Sequence, residues 1–186
     1  LRAADLTRQL LAYSGKGAFV IGPLELSREV RDMATLLRTA MSGLAPLAGR
    51  VMLDLTADLG YDAVGGLTLG ADPVATAMMH AAAARGMPVD AFVVRKQAKD
   101  HGLGKLIEGS SQPGDRAMIV DDVLTSGGSL LKAVTAAREA GLVVTHALVV
   151  VDRKEQDGRK KVEAEGLVLI SLLTIDDLTS AQPTPS

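Results

Sequence analysis

Residues 118–130, MIVDDVLTSGGSL, constrain this chain more than any other stretch. Met118, Ile119 and Val120 make an apolar run of the kind that fills a buried parallel strand, and the run ends abruptly in two carboxylates, Asp121 and Asp122. Thr125, Ser126, Gly127, Gly128 and Ser129 follow as a loop of small residues whose backbone can approach a ligand closely. Leu130, Leu131, Val134 and Ala137 then share one face of a helix that Gly141 should close. A strand, such a loop and a helix N-terminus bring unpaired amide N–H groups and the positive end of the helix dipole to one point, which suits a phosphate. The predicted fold class is α/β: a central, mostly parallel sheet flanked by helices, with right-handed crossovers and the ligand at the carboxyl ends of the strands.

The acid pair narrows the ligand. A nucleotide loop of the form GxxxxGK[ST] would place a lysine after the glycines, and none follows here. Two carboxylates beside one phosphate cradle suit a sugar phosphate instead: the acids accept hydrogen bonds from ring hydroxyls while the loop holds the 5-position phosphate. Ribose 5-phosphate meets both demands.

Composition removes several other classes. At 186 residues and 47% hydrophobic content, one domain spanning 1–186 is expected, with residues 1–48 a helical hood and 181–186 a frayed tail. A net charge of −2, with only two Phe and two Tyr, argues against a nucleic-acid partner. With no cysteine, disulfides and thiolate zinc sites are excluded. No stretch reaches the roughly 18 apolar residues of a membrane span, and residues 1–16 lack a signal-peptide core, so a cytoplasmic protein is expected.

Around the central motif the chain alternates between strand and helix. A helix is predicted from Leu44 to about Leu59, with Leu47, Val51, Leu55 and Leu59 at helical spacing. Gly66 to Ala71, containing Leu67, Thr68, Leu69 and Gly70, forms a second candidate anion loop before an alanine-rich helix over Val74–Ala84. Ala91–Val94 reads as a buried strand that runs into Arg95, Lys96, Lys99, His101 and Gly102, a basic, glycine-punctuated stretch without the periodicity of a buried element, hence a long loop. Val143–Val151 is a further strand that delivers Arg153 to the same edge as the acids, and the planar fork of arginine matches a carboxylate. A solvated helix over Lys160–Glu165 and a strand over Val168–Leu173 complete the pattern.

The acid pair followed by T-S-G-G-S resembles the phosphoribosyl diphosphate (PRPP) signature of the type I phosphoribosyltransferases. V-R-K-x-x-K-x-H-G at 94–102, the I-E-G at 107–109 and the V-D-R ending at Arg153 resemble the orotate phosphoribosyltransferases more narrowly. The resemblance covers about Gly49 to Leu178. It implies that PRPP is bound by Arg95, Lys96, Lys99 and His101 and by the stretch Asp121, Asp122, Val123, Leu124, Thr125, Ser126, Gly127, Gly128 and Ser129. Leu67, Thr68, Leu69 and Gly70 would form the diphosphate loop, which in the family often contains a strained peptide bond. Lys96, Lys99, His101, Asp121 and Asp122 would be catalytic, and Thr125 and Arg153 would bind orotate. The reaction implied is transfer of the 5-phosphoribosyl group from PRPP to orotate, giving orotidine 5-phosphate and diphosphate. Mg²⁺ would enter on PRPP rather than through direct protein ligands, and a homodimer would share the basic loop across its interface. The chain departs from the family pattern near its N-terminus. Members usually carry a serine-glycine with lysine or arginine, then a tyrosine pair and aspartate, about where this chain has LELSREVRDMATLL over 24–37. That departure keeps two alternatives open: a phosphoribosyltransferase for another base, or a non-catalytic PRPP-binding regulator.

Overall fold

The structure is a computed structural model and describes residues 44–96 and 106–180. The predicted elements before residue 44, residues 1–43 of the hood expected over 1–48, and the tail at 181–186 lie outside the described residues, as do Lys99 and His101.

Six strands form one sheet in the order β3-β2-β1-β4-β5-β6. They are β1 (Ala63–Leu67), β2 (Asp90–Val94), β3 (Ile107–Gly109), β4 (Arg116–Leu124), β5 (Val143–Asp152) and β6 (Val168–Thr174). All neighbours are parallel except β3, which returns antiparallel along β2. The helices are α1 (Leu44–Leu55), α2 (Ala71–Ala83), α3 (Gly128–Glu139), α4 (Gly158–Ala164) and α5 (Ile175–Ser180). The central strands are apolar on both faces, because the parallel crossovers put helices over both. Val64, Met118, Val120 and Leu148 face α1 and α2, while Ala63, Ile119, Ala147 and Val149 face α3 and α4. Alternate residues of one strand thus feed two separate cores. Among the described residues no helix is long and apolar enough to cross a membrane.

Two expectations need correction. The helix expected to run to about Leu59 ends at Leu55, and three residues of the stripe that marked it are exposed: Leu47, Val51 and Leu55 are 48%, 37% and 50% exposed, whereas Met52 and Leu53 are each 1% exposed. Apolar residues lie nearly all round this helix, so periodicity could not choose its inner face. Gly49 chooses it. A Cβ there would lie 2.3 Å from the Ala77 carbonyl oxygen, so α1 crosses α2 on its glycine side. Beyond Leu55, Thr56 turns back to donate to the Met52 carbonyl at 2.8 Å and meets the Tyr61 hydroxyl at 2.8 Å, ending the turn.

The second correction concerns the central strand. It does not stop before the acids but carries Asp121, Asp122, Val123 and Leu124 in register with β5 as far as Leu124 opposite Asp152. Its pairing with β1, however, ends at Ile119 opposite Gly65. The acids therefore emerge where β4 has lost one neighbour and kept the other. Since the chain winds one way from β1 to β2 and the other way across to β4, that gap is the topological switch point, the crevice where open α/β sheets bind ligands.

Candidate active site

Asp121 and Asp122 sit at the mouth of the crevice in unequal surroundings. Asp121 is only 7% exposed, rather than at an open sheet edge, while Asp122 is partly exposed. The Asp122 amide donates to Asp121 Oδ1 at 3.0 Å, and the Val123 amide donates to Asp122 Oδ1 at 2.8 Å. Burial, reinforced by the neighbouring Asp122 charge, pushes the Asp121 carboxyl up to about 7. Near neutral pH it therefore stands close to its titration midpoint.

The loop between β1 and α2 closes directly onto this pair. A Cβ on Gly70 would lie 2.7 Å from Asp122 Oδ1 and 2.9 Å from Asp121 Oδ1, so no side chain fits between loop and acids. Inside the loop the Thr68–Leu69 peptide is cis. The Thr68 amide donates to the Val94 carbonyl at 2.9 Å, its hydroxyl donates to Asp72 Oδ2 at 2.9 Å, and Leu69 stands 77% exposed. The other oxygen of Asp72, Oδ1, is buried without a hydrogen-bond partner. Asp72 was not singled out from the sequence, although an acid in the first turn of a helix is a recognisable start signal.

On the other side of the acids, Thr125 to Gly127 turn the chain from β4 into α3. Gly127 takes a left-handed φ of +79°, and α3 begins at Gly128 with no side chain capping its first amides. The nearest contact is the Gly128 amide to Ser126 Oγ, a long 3.4 Å. A twelve-residue helix thus presents uncapped N–H groups beside a turn of small residues, an arrangement suited to an anion. Val123 and Leu124 serve differently from their neighbours. Leu124 is in the core, and its carbonyl accepts from the Arg153 amide at 3.0 Å.

That bond places Arg153 one residue past the last β4–β5 pair, at the same edge as the acids. Its guanidinium donates to Glu155 Oε1 at 2.7 Å, so a carboxylate already occupies one side of its fork. Glu155 was not anticipated. On the far flank, Arg95 pairs with Glu108 at 2.8 Å, a contact set up by the antiparallel return of β3 and by the Arg95 amide donating to the Leu106 carbonyl at 2.8 Å. A cavity of about 680 Å³ lies along α3 and joins Leu67, Arg95 and Lys96 to Gly128 and Ser129. The acids, Thr125 and Arg153 do not line it. Nine residues separate the described ends of the basic stretch, Lys96 and Leu106, so its other cations are not placed here.

This geometry has relatives. Residues 47–176 match the family model of the phosphoribosyl transferase domain. The orotate phosphoribosyltransferase of Streptomyces coelicolor is 48% identical over 177 residues, 94% of this chain and 97% of the relative. A coverage that high extends into the first 43 residues, the region where the chain departs from the wider family pattern. Among solved structures, the Mycobacterium tuberculosis orotate phosphoribosyltransferase in complex with PRPP is 48% identical, with a TM-score of 0.68 over 77% of this chain and 81% of that one. A phosphoribosyltransferase from Corynebacterium diphtheriae is 44% identical with a TM-score of 0.70, over 77% and 83%.

Proposed function

This chain belongs to the orotate phosphoribosyltransferases, and from that premise we propose how its residues divide the work. The reaction is transfer of the 5-phosphoribosyl group of PRPP to orotate, giving orotidine 5-phosphate and diphosphate. The observation that carries the assignment of roles is the contact of Gly70 with both carboxylates, with the uncapped N-terminus of α3 on their other side. A diphosphate loop, a ribose-binding acid pair and a phosphate turn follow one another in the order that a single PRPP molecule requires.

Thr125 to Ser129 hold the 5-phosphate on backbone amides. Asp121 and Asp122 accept hydrogen bonds from the ribose hydroxyls and fix the ring over the crevice. As the bond from C1 to the diphosphate oxygen breaks, its electron pair leaves with the diphosphate and the sugar gains oxocarbenium character. A ring nitrogen of orotate then supplies the pair that forms the new C–N bond, and the proton it carried passes to the departing diphosphate or to water. Arg153 orients the base by taking its carboxylate on the planar fork that now makes one hydrogen bond to Glu155. Lys96, with Lys99 and His101 from the basic loop, stabilises the departing diphosphate, an electrostatic role that often supplies much of a rate enhancement.

The acid pair also suits Mg²⁺. Its donors are hard oxygens, and a cation nearby would offset both the burial and the neighbouring Asp122 charge that raise Asp121. When bound with PRPP, Mg²⁺ would neutralise diphosphate charge while keeping several waters, and Asp121 and Asp122 are the residues that would help to hold it. Sharing of the basic loop in a homodimer belongs to the same proposal.

The deciding experiment is an absorbance assay of the purified protein with PRPP, Mg²⁺ and orotate, uracil or a purine base. Orotate alone should be consumed, and only when PRPP is present. Consumption of another base instead would transfer the assignment to a different phosphoribosyl acceptor, and binding of PRPP without turnover of any base would indicate a regulator.

A further inference from the structure

The phosphate turn leans on α4 as well as leading into α3. A Cβ on Gly158 would lie 2.0 Å from the Thr125 carbonyl oxygen and 3.2 Å from the Ser126 carbonyl carbon. From the opposite side, a Cβ on Gly127 would lie 3.2 Å from the Gly158 carbonyl oxygen and 3.2 Å from Val162 Cγ2. Backbone rests on backbone here, with no side chain between to absorb a shift. Where α4 goes, the turn goes.

A seven-residue helix does not hold its own position. Arg159 holds it. Its Nε donates to Asp152 Oδ2 at 2.9 Å, its Nη1 to the Leu169 carbonyl at 3.0 Å and to Glu163 at 3.3 Å, and its Nη2 to Ser171 Oγ at 3.1 Å. One guanidinium thereby joins α4 to β5 and β6. Asp152 is 2% exposed, and its second oxygen accepts the Lys154 amide at 2.8 Å, so the carboxylate also pins the chain on both sides of Arg153. Lys154, Gln156 and Asp157 between them have φ near +54°, +53° and +53°, a region that side chains disfavour, so external contacts rather than local preference set this turn.

We propose that Arg159 is a positioning residue for phosphoribosyl transfer. Through Asp152 it fixes the Arg153 end of the site, through Gly158 it fixes the phosphate turn, and so it sets the distance between base and sugar. The inference rests on the roles given above to Arg153 and to the turn. Lysine cannot replace it, because a single ammonium can keep the contact with Asp152 but cannot also span the Leu169 carbonyl and Ser171 in a planar fork.

The test uses the full chain and three variants. Arg159→Lys keeps a charge beside Asp152 so that folding survives, Gly158→Ala presses on the Thr125 carbonyl, and Lys161→Ala changes an exposed residue of the same helix as a control. Thermal unfolding first sets an assay temperature at which each protein is folded. With both substrates saturating, kcat of Arg159→Lys should fall on the order of 10- to 100-fold, the scale expected for reactants displaced by about an ångström. Its dissociation constant for ribose 5-phosphate alone, measured by calorimetry, should stay within about 3-fold, because the turn keeps its own amides and shifts with α4 as one body, changing its distance to the base rather than its grip on the phosphate. Gly158→Ala should weaken ribose 5-phosphate at least about 10-fold, and Lys161→Ala should resemble the parent. An unchanged kcat in Arg159→Lys, or a fall matched by the control, overturns the proposal. If Arg159→Lys unfolds below the assay temperature, Ser171→Ala removes one prong of the same fork and is judged by the same split between kcat and binding. A parent that never turns over PRPP with orotate refutes the functional assignment instead. The ribose 5-phosphate measurement on Gly158→Ala still decides separately whether α4 backs the turn, since equal binding by parent and variant refutes that contact whatever the base.

Discussion

Asp121 is asked to carry a charge that its surroundings disfavour. Its folded carboxyl is raised to about 7 from an ordinary value of 3.8, chiefly by burial. Between those values the folded protein binds a proton that the unfolded chain has released, so stability falls as pH rises from about 4 to about 7. Asp121→Asn removes that penalty. The variant should gain stability over the parent across this window and keep the gain at pH 8, on the order of 2 to 4 kcal/mol at most, while its affinity for PRPP drops. Thermal unfolding at pH 5 and pH 8, with calorimetry on PRPP, checks both halves; a variant that binds PRPP like the parent would show that Asp121 does not touch the ribose. Arg153→Ala is the complementary test on the base side. Removing one partner of a desolvated charge pair costs about 2 to 5 kcal/mol, so the orotate concentration for half-maximal rate should rise roughly 30-fold or more while the PRPP requirement barely moves. Equal losses for both substrates would mean that Arg153 supports the fold rather than the orotate carboxylate. Both residues were legible in the sequence because acid pairs and arginines at strand ends are chemically conspicuous. Their controlling neighbours were not: the burial of Asp121 and the hold of Glu155 on Arg153 depend on which strand lies alongside, which no local pattern encodes.

Elements were legible where a single periodicity dominated and illegible where two competed. The helix after T-S-G-G-S packs Leu130, Val134 and Ala137 as its pattern required, with Leu131 half-buried at the margin. In α1 the expected stripe points outward, since Met52 and Leu53 alternate with apolar residues on the other side and only the crossing at Gly49 decides between them. This is measurable as a difference in stability. Met52→Ala should cost about 2 to 5 kcal/mol by emptying a packed site beside α2, whereas Leu55→Ala should fall within about 1 kcal/mol of the parent. Chemical denaturation of the two variants checks it, and equal costs would mean that the exposed stripe is covered in solution. The strand β4 was read too short for a related reason. An acid pair looks like a strand end when only one strand is considered, but β5 continues to pair through Asp121 and Val123 to Leu124 after β1 has diverged.

At the scale of the whole molecule, the sheet delivers the acids, the turn from Thr125 to Gly127 and Arg153 to one crevice, but it brings Arg95 and Lys96 up on β2, with β1 standing between them and β4. Arg95 is paired with Glu108 on the edge strand β3. A basic loop that departs from this flank can serve either its own acids or those of a second subunit, and a mixing experiment separates the two. One variant loses the loop cations, Lys99→Ala with His101→Ala; the other loses the acids, Asp121→Asn with Asp122→Asn. Alone, each should be nearly inactive, the first through a loss of turnover that exceeds any loss of orotate binding. If the loop crosses a two-fold interface, a mixed dimer has one site with intact acids and an intact donated loop and one site lacking both. Random exchange at equal concentrations makes about half of the dimers mixed, so about a quarter of parental activity should return. If each loop serves its own subunit, every site in every dimer lacks one half of its machinery and no activity returns, provided that subunit exchange is confirmed independently by native mass measurement. Recovery near a quarter would make the dimer a catalytic requirement, because a lone subunit could not bring its cations to its own diphosphate.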